Sequence, residues 1–193
     1  MNVRSKLIIG VSVFTTLLAM FVMFLSGVYW QRSEHAFFRR YGGWLPIAHV
    51  GGEYVVYRDY LVHVDAQRAF LAGPLAVEAG AVQDVTDKER KEAYERAIRI
   101  QAVESLAKDA NQEVTPLDID RAYQELIARA GVSTTKAEIE SFLQAQFGWD
   151  EGEYKEHLLR PALTEEILRT KDESGFEQAL QTRVDEAKRY LRF

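Results

Sequence analysis

Twenty-four consecutive residues, Leu7 to Trp30 ("LIIGVSVFTTLLAMFVMFLSGVYW"), carry no charge. At about 1.5 Å of rise per residue, a helix of this length reaches roughly 36 Å, more than the ~30 Å of a bilayer's hydrocarbon. The run therefore reads as a transmembrane anchor. A cleavable leader is the rival reading, but its apolar stretch is typically about 7 to 15 residues and ends in a small-residue site. Only Ser26 and Gly27 offer anything of that kind, so the segment is taken as an uncleaved signal-anchor that meets the lipid bilayer from Leu7 to Trp30. Tyr29 and Trp30, then Phe37, Phe38, Tyr41 and Trp44 beside Arg32, Arg39 and Arg40, have the character of an interfacial belt. Residues 31–46 are accordingly expected at the headgroups. Cations stand on both flanks, Arg4 and Lys6 against Arg32, Arg39 and Arg40, so charge alone does not orient the span.

The chain has 193 residues, enough for one globular domain besides an anchor. Of its 24 cationic side chains, Arg4 and Lys6 precede the apolar run, and none of the 29 carboxylates does; the remainder therefore sets 22 positive against 29 negative side chains. Duplex binding relies on Lys and Arg neutralising phosphates, so nucleic acid is excluded as the main partner. With no cysteine there is no disulfide framework, thiolate nucleophile or thiolate metal site.

Past the anchor, "IAHV" and "EYVV" flank Gly51 and Gly52, a short hairpin whose turn needs positive φ at both central positions. From Tyr57 the apolar positions Tyr57, Tyr60, Leu61, Val64, Phe70 and Leu71 take helical spacing. "AGPLAVEAGAVQDV" then reads as a loop. From Thr86 onward the chain is helical and well punctuated. Thr86 with Glu89 opens a helix to about Ala110, with Tyr94, Ala97, Ile98, Val103 and Leu106 inward. Thr115 with Asp118, and Pro116 at the first position, open another that buries Ile119, Tyr123, Leu126 and Ile127 and stops at Gly131. Thr135 with Glu138 starts a third, carrying Ile139, Phe142 and Leu143, which ends near Gly148. Asp150 starts a fourth, with Tyr154, Leu158, Leu163 and Ile167 on its apolar side; Pro161 is expected to kink or split it by crowding the carbonyl of His157. Ser174 with Glu177 opens a last helix through Phe176, Leu180, Val184 and Leu191. The fold class is thus mainly α, with an N-terminal transmembrane helix and a short β-hairpin before a multi-helix domain.

The order of an anchor, "VGGEYVVYRDY", a long helix, "ANQEVTPLDIDRAYQEL" and "IESFLQAQFGWDEGEYKEHLLRPALTEEIL" resembles the N-terminal chaperone domain of the SurA, PpiD and PrsA group of folding factors. Gly51 replaces the Asn of that group's first motif, and Val55 and Val56 its Ile-Thr. The resemblance covers roughly residues 47–170. It implies a tail in the cytoplasm (1–6), a single span (7–30), the juxtamembrane segment (31–46), a SurA-N-like domain (47–170) and a C-terminal helix (171–193), with the large domain extracytoplasmic in the periplasm or cell envelope. Many members continue into a parvulin-type prolyl isomerase domain. This chain stops at Phe193 near where that domain would begin, so the resemblance implies a holdase for unfolded or secreted polypeptides without its own isomerase. The alternative is a membrane-anchored scaffold that binds one folded partner.

The residues themselves point away from catalysis, and neither a cofactor nor a metal is expected. His35, His49, His63 and His157 lack the spacing of a metal pair. Asp118 with Asp120, and Glu165 with Glu166, lie on polar helix faces, where solvated carboxylates are the simpler reading. Gly51 and Gly52 lack the lysine and second glycine of a phosphate loop. Among the aromatics, core packing is the simplest role, but Phe147 and Trp149 flank a glycine between helices. Together with Phe142 and Tyr154 they are the candidates for a client-binding surface, since a large apolar ring needs no fixed partner sequence.

Overall fold

A computed structural model describes residues 3–78, 80, 84–130 and 135–193, with side chains from Phe14 onward apart from those of residues 74, 75 and 130. The chain is mainly helical, with one small antiparallel sheet. Leu7 to Tyr29 of the apolar run lie in α1 (Val3–Tyr29), Trp30 begins the turn that follows, and α2 (Ala36–Gly42) comes next. Among the described residues, no helix is long and apolar enough to cross a membrane. The side chains of Leu7 to Val13, part of the expected span, lie outside the described ones.

Segment 31–46 does not stand apart as a linker. The last turns of α1 enter the domain: Val28 is fully buried, and Phe24 stacks on Phe38 with centroids 5.6 Å apart. Gly27 permits this approach, because a Cβ there would overlap the Phe38 ring. Glu34 meets Arg39, Arg68 and Arg90, and Asp65 meets Arg39 (2.8 Å) and Arg68 (2.9 Å), so the turn after α1 is tied to two long helices.

The hairpin forms as expected, with β1 (Pro46–Val50) paired to β2 (Glu53–Val56). Gly51 (φ 58°) and Gly52 (φ 90°) make the turn. Their reasons differ. A Cβ on Gly51 would overlap the Ser105 Oγ, which donates to the Gly51 carbonyl and accepts from Arg183; around Gly52 the space is open. Gly51 is thus needed for packing as well as for its left-handed backbone.

Three long helices build the first core against this sheet: α3 (Tyr57–Ala72), α5 (Asp87–Asp109) and α10 (Glu173–Asp185). Tyr57, Tyr60, Leu61, Val64 and Leu71 point inward from α3, and Tyr94, Ala97, Ile98 and Val103 from α5. Tyr94 donates to the Ile47 carbonyl at 2.7 Å, locking helix to sheet at the bulge in β1. A short helix, α4 (Pro74–Glu78), occupies part of the stretch expected as loop.

A second core is assembled from α6 (Pro116–Ala130), α7 (Lys136–Phe147), α8 (Glu151–Tyr154), a π-helix (Lys155–Leu159) and α9 (Arg160–Lys171). Its buried residues include Ile119, Tyr123, Ile139, Leu143, Trp149 and Tyr154. Capping boxes at Thr86–Glu89, Thr135–Glu138 and Asp150–Glu153 open α5, α7 and α8 where the sequence places them. The expected stop at Gly131 lies outside the described residues.

Other expectations are changed or refined. The fourth helix is divided just before Pro161 by a π-helix, where the Arg160 amide donates to the Lys155 carbonyl, and the chain stays helical through the proline because this wider turn relieves the crowding it imposes. Leu158 and Leu163 both still pack on the second core. The last helix is capped by Asp172, whose side chain accepts from the Gly175 amide, rather than by Ser174. That helix also ends at Asp185. Beyond it the chain turns back as β3 (Lys188–Arg189), pairs antiparallel with β1 and buries Leu191, so residues 171–193 are a helix plus a third strand of the first core.

Candidate functional site

The four candidate aromatics do not form one surface. Phe142 is 57% exposed on α7. Trp149 and Tyr154 are buried at 4% and 7%, so they are packing residues first, and Phe147 is half-buried between them. Phe147 stacks on Trp149 (5.3 Å, 16°) and lies 5.8 Å from Tyr154. The turn at Gly148 brings these three together. Phe142, on a different face of α7, stays outside the group.

The Phe147–Trp149 pair forms the floor of a cleft of about 250 Å³ between the two cores. One wall is a single face of α3, with His63, Ala66, Gln67 and Phe70 at i, i+3, i+4 and i+7; the other is the matching face of α5, with Glu89, Glu92, Ala93 and Arg96. Leu158 closes the floor beside Trp149. Phe70 therefore belongs to this second stripe of α3 and not to the first-core stripe; it is 45% exposed at the cleft's edge.

His63 is the residue that spacing alone did not single out. It is 7% exposed, its ring lies 6.5 Å from Trp149, and its Nδ1 has no hydrogen-bond partner. Burial, with smaller contributions from Arg96 and His157, lowers its pKa to about 4, so the imidazole is neutral at pH 7. A usable clue existed in the sequence: His63, Ala66, Gln67 and Phe70 repeat at helical spacing, offset from the apolar stripe.

The rim is polar and mostly engaged. Glu89 is held by the Thr86 cap, which lowers its pKa, and Glu92 pairs with Lys88 at 3.7 Å. Small-molecule sites usually occupy about 300–1,000 Å³, so this cleft is sized for one or two side chains of a longer ligand. Its chemistry is that of a slot with an apolar, aromatic floor, a neutral imidazole on one wall and the charged side chains of Glu89, Glu92 and Arg96 on the other.

Most of the other polar candidates have structural partners. His35 caps α2 through Nδ1, and the His49 ring packs 4.9 Å from that of Tyr54. Asp118 caps α6 at Thr115, Asp120 pairs with Lys155, and Glu165 meets both Arg99 and Arg169. Among the described residues, no group of three or more His, Asp or Glu could hold a metal ion. No family model matches the chain, and no match is found among curated proteins or solved structures.

Proposed function

We propose that the chain is a membrane-anchored, extracytoplasmic holdase that binds unfolded or secreted polypeptides through the cleft between its two cores. The observation that carries this reading is apolar surface that neither core covers, in two places. On α1, Phe14, Leu17, Leu18, Met20, Phe21, Val22 and Met23 are each between 51% and 68% exposed, all round the helix, a pattern that suits lipid. At the cleft, Phe70 and Phe147 border a slot that fits a client side chain, and its polar rim tolerates the peptide backbone passing over it. The resemblance to the SurA, PpiD and PrsA group supports the same reading.

The test uses the full chain in nanodiscs, added to a chemically unfolded reporter protein as denaturant is diluted away. Wild type should delay aggregation at modest molar excess and nearly independently of salt, because apolar contacts are not screened. Phe70→Ala is chosen because the ring is half-exposed, so its loss should cost only about 1 kcal/mol and leave the chain folded while weakening the delay. A folded wild-type chain with no effect on any unfolded client, and one stoichiometric folded partner in a membrane pull-down, would move the assignment to the scaffold reading.

A further inference from the structure

Exposed aromatic side chains beyond α1 are unevenly placed. Trp30, Phe37, Tyr41, Trp44, Tyr54 and Tyr190 lie around the point where α1 enters the domain, whereas the cleft edge holds Phe70 and α7 only Phe142. Two contacts define the two sides of this collar. On one, Phe37 packs on Phe24 of α1 (5.9 Å) and on Tyr41 (5.1 Å). On the other, Tyr29 donates to the Pro46 carbonyl at 2.9 Å, beside a groove of about 590 Å³ that also brings Trp30, Tyr54, Tyr190 and Arg192 together.

The basic residues of the collar fall into two kinds. Arg32 pairs with Asp87 and Arg189 with Glu95. Arg40, Arg58 and Arg192 are exposed and, among the described residues, have no carboxylate at ion-pair distance; Arg40 lies over Tyr41 (5.6 Å) and Arg192 over Trp30 (5.9 Å). Arg58, at the start of α3, is tied to the turn that carries Trp44 through its backbone, the Arg58 amide donating to the Gly43 carbonyl at 2.9 Å. Unpaired arginines beside exposed rings are the composition of a headgroup-level belt. The residues after the apolar run set 22 cationic against 29 anionic side chains, so an anionic bilayer repels the body on balance and is met most favourably by a face whose arginines are not already paired.

We propose that this collar, chiefly Trp30, Trp44 and Tyr190 with Arg40, Arg58 and Arg192, is a docking surface for the headgroups of an anionic bilayer, which holds the body in one fixed orientation. The proposal rests on the reading of α1 as an anchor, since continuity with that helix brings the collar to the membrane. The residues that follow β3 thereby gain a role beyond closing the sheet: Tyr190 and Arg192 are two of the six belt residues.

The full chain is reconstituted into vesicles of phosphatidylcholine alone or mixed with phosphatidylglycerol, each containing brominated lipid as a tryptophan quencher. Quenching should be stronger in the anionic vesicles, weaken with added sodium chloride, and fall in the triple variant Arg40→Gln, Arg58→Gln, Arg192→Gln. The docked-to-undocked ratio should drop on the order of fivefold per arginine removed. Trp149 is buried and adds a constant background. Equal quenching in both lipids, insensitive to salt, overturns the collar while alkaline carbonate washing still retains the chain on the vesicles and so leaves the anchor standing. A chain that washes off but sediments with anionic vesicles in an arginine-dependent way supports the collar and overturns the anchor; one that does neither overturns both. Relief of quenching by inorganic phosphate beyond that by chloride of equal ionic strength overturns the collar in favour of a discrete phosphate pocket. Protein-concentration-dependent shielding of Trp44 in neutral lipid overturns it in favour of a second copy. If the triple variant does not fold, the lipid and salt arms on wild type decide.

Discussion

The two cores of this molecule are made from the same kinds of helix, yet they differ in depth. In the first, Ile47, Tyr57, Tyr60, Ile98 and Val64 are fully buried, and a sheet, three long helices and the foot of α1 close over them. In the second, among the described residues, only Tyr123 falls below 3% exposure, and Ile139, Val114 and Leu159 sit at 8–9%. Shallow burial places a region at the low end of local stability, which is where binding elements are drawn from. The difference teaches that the cleft has two firm walls and a yielding floor: α3 and α5 belong to the deep core, and Phe147 and Trp149 to the shallow one.

Matched truncations are the strongest way to break that contrast. Ile98→Ala should cost about 4 kcal/mol and lower the melting temperature of the whole chain, because so enclosed a site cannot collapse around the void. Leu143→Ala should cost about 2 kcal/mol and act locally, raising hydrogen exchange in α6 and α7 while α5 stays protected. Equal, global losses from both would mean a single cooperative unit.

Acid provides the next test, because His63 stands on the wall between the cores. Its folded pKa of about 4 lies below the ordinary 6.5, so the unfolded chain takes the proton first. The contribution is fully present above pH 6.5, is lost as pH falls towards 4, and is flat below; a 2.5-unit gap corresponds to about 3 kcal/mol. Denaturant melts of wild type and His63→Gln across that window should differ by this slope, with exchange at Trp149 and along α7 rising first. A slope that survives His63→Gln would assign the acid sensitivity to carboxylates instead.

The smallest effect sharpens the comparison at one helix end. Thr135 accepts from the Glu138 amide at the start of α7, and Thr135→Ala should cost about 1 kcal/mol. In a shallow lobe that loss should appear as fraying of α7 in hydrogen exchange, with the melting of the first core unmoved.

Much of the scaffold was legible in the amino-acid sequence. Helix starts were readable because a Thr or Asp followed three residues later by Glu satisfies orphan amides wherever it occurs, as at Thr86, Thr135 and Asp150. The hairpin was readable from its two glycines. What escaped was set by partners distant in sequence. Strand β3 is two charged residues long, has no alternation to read, and exists because the edge of β1 offers it hydrogen bonds. The continuity through Pro161 depends on an extra residue absorbed by the π-helix, which leaves no trace in apolar spacing. The site was half legible. Phe147 and Trp149 stood out by flanking Gly148, but α3 serves both cores and the cleft, and a single-stripe reading placed Phe70 on the wrong face and passed over His63.

The burial of Val28 and the stacking of Phe24 against Phe38 have a consequence for reach. A body on a disordered leash sweeps a sphere whose radius grows as about 5–6 Å times the square root of the leash length. Here the helix is built into the body and the leash has no length. Whatever grips Phe14 to Met23 fixes the stand-off height and bearing of the cleft as a bracket fixes a lamp. Any tilt of that helix swings the cleft through an arc, and a ligand must pass within that arc to be caught.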